Sequence, residues 1–311
     1  MITLLGMTVN EVIRTITFFK MSVRGASLLA FACWTIGGAC QGGEVPAMRI
    51  GLLPDDKAQV LLSRFEPMRA RLEKTLQRPV RVIIPSLERS YSYKDLVDAF
   101  VEGRIDIASF GGATFLAASG RTPTAPLVTR KLDFRFRSYF ITRAGSNAIS
   151  LEDLKGLRFT FGANDSTSGY FMPLHYLKEM GIDPDKDFQG PPQFSGTHTR
   201  TLEWVLSGRV DAGVMNGQIF DRLLREKKLD LKTVNIAWVS PGFPDYIWAA
   251  TEDVPEGVRN AVQRTFLDLK QSDKQDAAVL DGLGADFYVL PDLQAFERLK
   301  HTLHNLNQKE Q

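Results

Sequence analysis

One pattern occurs twice in the chain, and it constrains the fold more than any other feature. Glu102-Gly103-Arg104-Ile105-Asp106-Ile107-Ala108-Ser109-Phe110-Gly111-Gly112 is echoed by Ser207-Gly208-Arg209-Val210-Asp211-Ala212-Gly213-Val214-Met215-Asn216-Gly217. The first Gly, the Arg, the Asp and the last Gly coincide at a constant offset. Each copy reads as a helix ended by glycine, a short buried strand, and a glycine-bearing loop. In open α/β sheets, ligands bind beyond the carboxyl ends of strands. Two matching loops therefore suggest two lobes that offer their strand ends to a shared cleft. The plainer alternative is a common helix-to-strand turn used twice.

The rest of the chain fits the two-lobe pattern. Strand-like runs at 49–53, 80–84 and 105–110 alternate with helical periods, the first through Leu61, Phe65, Met68, Leu72 and Leu76. Pro67 inside that period is expected to kink it. Further helices are expected at 93–102 and 113–119. In the second half, strands are expected at 158–161, 212–215 and 234–239, and helices at 168–180, 199–207 and 219–226. The tail reads as helical over 258–269 and 293–306. This alternation predicts an α/β fold with largely parallel sheets. A length of 311 residues suits two domains.

The N-terminus reads as a leader. Arg24 precedes an apolar run over 26–36, and Gly37-Gly38-Ala39-Cys40 follows. A basic residue, a short apolar stretch and small residues form an export signal, and the run is too short to span a bilayer. Met21 is an alternative start to Met1. The small residues before Cys40 resemble a bacterial lipobox, although Gly37 stands where Leu is usual; the alternative is simple cleavage nearby. Both cysteines, Cys33 and Cys40, lie in this leader. The exported chain therefore has no disulfide framework and no cysteine-based site. Glu11, Arg14, Lys20 and Arg24 account for the whole net charge of +2. A neutral remainder lacks the footprint of a nucleic-acid binder.

The strongest local motif is Phe159-Thr160-Phe161-Gly162-Ala163-Asn164-Asp165-Ser166-Thr167-Ser168-Gly169-Tyr170. It reads strand, small-residue loop, helix start. Hydroxyls at a helix start cap free N–H groups, and the same N–H groups with the helix dipole attract an anion. No lysine lies in the loop, so it is not a nucleotide-hydrolysing P-loop. A second helix entry, Phe194-Ser195-Gly196-Thr197-His198-Thr199, brings a histidine that could donate to an oxyanion or merely cap the surface. His175, His301 and His304 show no metal-ligand spacing, and no cofactor is implied.

Taken in order, the 101–108 and 208–213 segments, Asp165–Tyr170, 194–198 and Ser240-Pro241-Gly242-Phe243-Pro244-Asp245-Tyr246-Ile247-Trp248 resemble the phosphonate-binding family of periplasmic ABC-transporter proteins. The resemblance runs from about residue 49 to 287. It implies a type II periplasmic binding protein fold. Residues 48–132 with 241–311 would form one lobe and 133–240 the other, after a leader over 1–40 and a tether over 41–47. Crossover strands are implied near 129–141 and 238–245.

The resemblance also implies the site. Ser166, Thr167, Ser168 and Gly169 would hold a tetrahedral oxyanion, joined by His198, Tyr93 and Asp245, with Thr114, Arg137 and Gln218 as further contacts. Asp245 beside an anion makes sense if it meets a P–OH group or a ligand amine. Gln218 stands where the family's aminoalkylphosphonate binders carry Glu, which disfavours an amine tail. Arg137 stands near a position aromatic in those proteins; a buried Arg fork there would suit a small, fully oxygenated anion, and an exposed charge is the alternative. Phosphite, methylphosphonate, phosphate, selenate and arsenate stay open. The implied partners are a small oxyanion and a membrane permease with its ATPase, and the implied state is a periplasmic monomer. Two rivals use the same residues: a ligand sensor for a membrane kinase, and a hydrolase built on Ser166 or Ser168, His198 and Asp245.

Overall fold

The computed structural model describes residues 45–84 and 92–308. The leader, with Cys33 and Cys40, lies outside the described residues.

The chain opens with β1 (Met48–Gly51), α1 (Ala58–Leu76), β2 (Val80–Ile83), α2 (Tyr93–Val101), β3 (Ile107–Phe110), α3 (Gly112–Ser119) and β4 (Thr124–Arg130). It then leaves this first sheet. A second sheet is built from β5 (Ser138–Arg143), β6 (Phe159–Phe161), β7 (Gln193–Phe194), β8 (Ala212–Asn216) and β9 (Val234–Val239). Its helices are α4 (Met172–Glu179), the short α5 (Pro184–Asp187), α6 (His198–Leu206) and α7 (Gly217–Arg225). The chain returns through β10 (Ile247–Thr251), α8 (Glu256–Leu267), α9 (Lys274–Leu283), β11 (Tyr288–Val289) and α10 (Leu293–Gln308). The strand orders are β11-β4-β10-β3-β1-β2 and β7-β6-β8-β5-β9.

The sheets are mixed, not largely parallel. β1, β2 and β3 run parallel, as do β6, β7 and β8. β10 is antiparallel to both β3 and β4, and β5 is antiparallel to both β8 and β9. β4, β5 and β10 flank the two passages between sheets, so their hydrogen-bonding partners come from distant parts of the chain. Local periodicity does not report such pairings. At the passages Phe136 and Phe243 exchange both backbone hydrogen bonds, at 2.8 and 3.0 Å. The Asp245 N–H donates to the Asp133 carbonyl at 3.1 Å.

The sequence echo is one joint built twice. Gly103 and Gly208 end their helices at φ +69° and +73°, where a side chain would be strained. Asp106 accepts the Arg49 backbone N–H and its guanidinium; Asp211 accepts the Arg158 backbone N–H at 3.1 Å and its guanidinium at 2.9 and 2.6 Å. Each Asp thus locks the start of its own strand to a neighbour. The two joints aim α3 and α7 at the region between the sheets.

Packing continues across both sheets. Tyr93, Phe100 and Phe110 join Phe140, Phe159 and Phe161 in one apolar cluster, which Phe296 and Leu299 of α10 complete. Behind the first sheet, Phe65, Met68 and Leu72 of α1 meet Trp248, Phe266 and Leu280. Helix α9 has no counterpart in the periodicity reading. Asp273 caps it, accepting the Gln275 and Asp276 N–H groups at 2.8 and 3.0 Å. It crosses α1 at Gly282, where an added Cβ would sit 2.5 Å from the Arg64 carbonyl oxygen. Gly282→Ala is therefore expected to destabilise the fold by about 1–3 kcal/mol, as overpacking does. Gly257→Ala in α8, where a Cβ meets open space, should be neutral or slightly stabilising. Equal melting temperatures for the two variants would contradict this crossing.

Candidate functional site

Strand β6 delivers the Ser-Thr-Ser run into the space between the sheets. A regular helix from Ser168 does not form. Thr167–Phe171 is a wide π turn, and the α-helix begins at Met172 with Pro173 in its first turn. The cause is local: Tyr170 and Phe171 both donate to the Ser166 carbonyl, at 3.1 and 3.0 Å, and Gly162 donates to the Gly169 carbonyl at 2.8 Å. Such turns are frequent at functional sites. The Ser166 hydroxyl caps the turn by accepting the Gly169 N–H at 2.9 Å. The Thr167 and Ser168 N–H groups open the turn and have no partner within it.

Around this turn lies a compact, tightly walled space. Six expected residues line it: Tyr93, Thr114, Ser166, Thr167, Ser168 and Asp245. Asp165, Tyr246, Gly111 and Leu53 complete it, all absent from the sequence expectation. Asp165 and Tyr246 directly flank expected residues, so adjacency was the available signal.

The two sheets' elements meet at this space. The Thr167 hydroxyl accepts the Ala113 N–H of α3 at 2.9 Å. Asp245 also accepts the Gly112 N–H at 2.7 Å. Asp165 accepts the Lys94 N–H of α2 at 2.8 Å. Thr114 donates its hydroxyl to the Gly111 carbonyl at 2.9 Å.

The electrostatics follow from burial. Asp245 is 2% exposed, and desolvation raises its pKa to about 7 against the opposing Gly112 hydrogen bond. Near neutrality its carboxyl can donate as well as accept. Burial, then the Asp55 and Asp165 carboxylates, push the Tyr93 phenol well above its usual range. Its hydroxyl is buried without a hydrogen-bond partner, so it holds a donor in reserve beside the Ser166 turn.

Four expected residues do not line the compact space. Gly169 belongs to the turn itself, where its N–H is spent on the Ser166 hydroxyl. His198 does not line the space; it is fully buried behind Gly169, whose added Cβ would come 3.1 Å from the imidazole Cε1. Its Nδ1 accepts the Asn216 N–H at 3.2 Å, which puts the proton on Nε2, and Nε2 has no partner. Burial lowers its pKa to about 4. The His198 imidazole is therefore expected to stay neutral from about pH 5 to 8, and a midpoint near 6.5 in NMR titration would contradict the burial.

Arg137 is exposed on a neighbouring, larger cavity, so the expected buried fork is absent. The alternation Arg135-Phe136-Arg137 explains this: Phe136 packs at the passage between sheets and both arginines face outward. Gln218 lines the same larger cavity and donates to Asp133 at 3.2 Å. A catalytic triad is absent as well. Asp245 accepts from Gly112, His198 accepts from Asn216, and neither serine hydroxyl meets the imidazole.

Comparison with known proteins bears on this geometry. Residues 50–296 match the family described as ABC transporter, phosphonate, periplasmic substrate-binding protein. The probable ABC transporter phosphite binding protein PhnD1 of Prochlorococcus marinus is 30% identical over 84% of this chain and 90% of its own length. Its solved complex with methylphosphonate superposes with a TM-score of 0.77, at 29% identity, over 84% of this chain and 98% of that one. The phosphonates-binding periplasmic protein of Escherichia coli is 25% identical over 80% of this chain and 73% of its own. The chain thus belongs to the periplasmic substrate-binding proteins of phosphonate ABC transporters, which present a small ligand to a membrane permease and its ATPase and are not enzymes.

Proposed function

We propose that this chain captures a small tetrahedral oxyanion of the phosphite or methylphosphonate class by closing two lobes around it. The lobes are 48–132 with 241–311, and 133–240. The observation that carries this reading is Thr167. Its hydroxyl reaches from the second sheet to accept the N–H of Ala113, and residues of both proposed lobes line one compact space. In this reading Ser166, Thr167 and Ser168 hold the oxygens with hydroxyls and N–H groups. Tyr93 supplies its unused donor, Thr114 and Asp245 close the far side, and Gly169 lets His198 pack beneath the turn.

Ligand bonds to both lobes favour the closed state over the open one. Charge-assisted hydrogen bonds in a drying cleft supply the affinity. The methylphosphonate held by PhnD1 supports the class. The chain acts in the periplasm as a monomer, exported on residues 1–40, with Cys40 as the residue a lipid would tether.

A ligand that binds only the native state raises its melting temperature. We expect phosphite or methylphosphonate to raise that of the exported chain by several degrees, and sulfate to leave it unchanged. A panel of phosphorus oxyanions without any shift would remove the reading.

A further inference from the structure

Next to the compact space lies a cavity of about 740 Å³ that the oxyanion reading does not use. Leu53 and Tyr246 line both, and Tyr246 forms the partition. Its hydroxyl donates to Asp55 at 2.5 Å and accepts from the Asn216 amide at 3.0 Å. A cavity of this size is in the range that holds an organic ligand.

The ions in its wall are unevenly paired. Asp56 holds Arg222 at 2.6 Å, and Asp133 holds Arg130 through two bonds of 2.7 Å. Asp55 is taken by Tyr246, and Asp221 accepts the Tyr139 hydroxyl at 3.1 Å. Asp281, Asp286 and Glu226 are exposed at the rim, as are Arg135, Arg137 and Arg225.

Arg64 of α1 is the exception. It is half-buried and lines the cavity, yet it makes no ion pair or side-chain hydrogen bond among the described residues. Burial and then Arg222 lower its pKa; Arg130 adds to this, while Asp55 and Asp56 oppose it. Arg222, 8% exposed, leaves Nε and Nη1 without hydrogen-bond partners. Unmade bonds on buried charged donors are costly. A planar guanidinium matches a carboxylate or phosphate group.

We propose that this cavity is a subsite for a second anionic group, a carboxylate or phosphate, carried by an organophosphonate whose phosphonate sits at the Ser166–Ser168 turn and whose tail passes Tyr246 to reach Arg64. This rests on the oxyanion reading above and names the ligand more closely: a phosphonate with an anionic tail. Simple phosphonates then fill only the first of two subsites.

Isothermal titration of the exported chain with methylphosphonate, propylphosphonate, phosphonopropionate and a propyl chain bearing phosphonate and phosphate ends tests it. At least one anionic-tailed ligand should bind about tenfold or more tighter than propylphosphonate, a gain typical of one charge-assisted pair. The better of the two says whether the subsite prefers carboxylate or phosphate. Arg64→Gln should abolish that gain and leave methylphosphonate affinity unchanged. No gain in the unaltered protein, or a gain that survives Arg64→Gln, overturns the subsite while methylphosphonate binding keeps the oxyanion reading. If methylphosphonate and the tailed ligands all fail to bind, both readings fall.

Discussion

Replacing Ser168 by alanine is expected to weaken oxyanion binding at least tenfold and to leave ligand-free melting nearly unchanged. The Ser168 side chain is buried in the wall of the compact space. The structural bond at this residue is made by its carbonyl, which accepts the Ser138 hydroxyl at 2.7 Å and is untouched by the substitution. A hydrogen bond to a charged group contributes about 1.5–3 kcal/mol, or roughly ten- to hundredfold in affinity. Thr167→Ala should behave differently. Its hydroxyl accepts the Ala113 N–H from the first sheet's α3, so its loss strands that buried donor. Affinity should fall further, and the ligand-free protein should lose about 1–3 kcal/mol of stability. Titration calorimetry and melting on both variants separate the effects. Unchanged affinity in Ser168→Ala would remove the turn as the oxyanion site.

The second large effect belongs to Asp245. Its pKa is raised from 3.8 to about 7, chiefly by desolvation. Below that value a neutral carboxyl donates to a ligand oxygen; above it a carboxylate faces an anion. Oxyanion affinity relative to Asp245→Asn should therefore drop by up to about tenfold per pH unit as pH rises above 7. The asparagine variant shares the ligand's own titration, so the ratio isolates the residue. A constant ratio from about pH 6 to 9 would contradict the assignment.

Stability carries the same sign. A folded pKa above the unfolded one gives a contribution fully present below about pH 4 that is lost as pH rises to about 7. Asp55, Asp133 and Asp165 are raised by burial too and add to the trend. Asp245→Asn should flatten part of that fall and melt higher than the parent protein near pH 8, by a few kcal/mol of stability.

Several elements were legible because their causes are local. Glycine at 103 and 208 marks the left-handed helix ends, and the aspartates three residues on mark the strand joints. The Ser166 cap follows from a hydroxyl at a helix start after a small-residue loop. Tyr93 and Asp245 were named through family resemblance, and the fold brings both to the turn although they stand far apart in the chain.

Other features were decided only by tertiary structure. A helical period does not distinguish a regular start at Ser168 from the π turn, which depends on Gly162 meeting Gly169 from another element. His198 read as a ligand donor at a helix entry, but the Asn216 N–H draws its ring behind the loop. Arg137 and Arg64 show the same limit most plainly. The Arg135-Phe136-Arg137 alternation left exposure of the first as one of two readings, and nothing in the residues beside the second says that it faces a cavity without a partner. The sequence by itself determined the two joints, the hydroxyl turn and the alternation of strand and helix, because each is set by residues within a few positions. The pairing of β4, β5 and β10, the shared space at Thr167 and the charge left over at Arg64 were decided by packing, because each depends on groups that only the folded chain brings together.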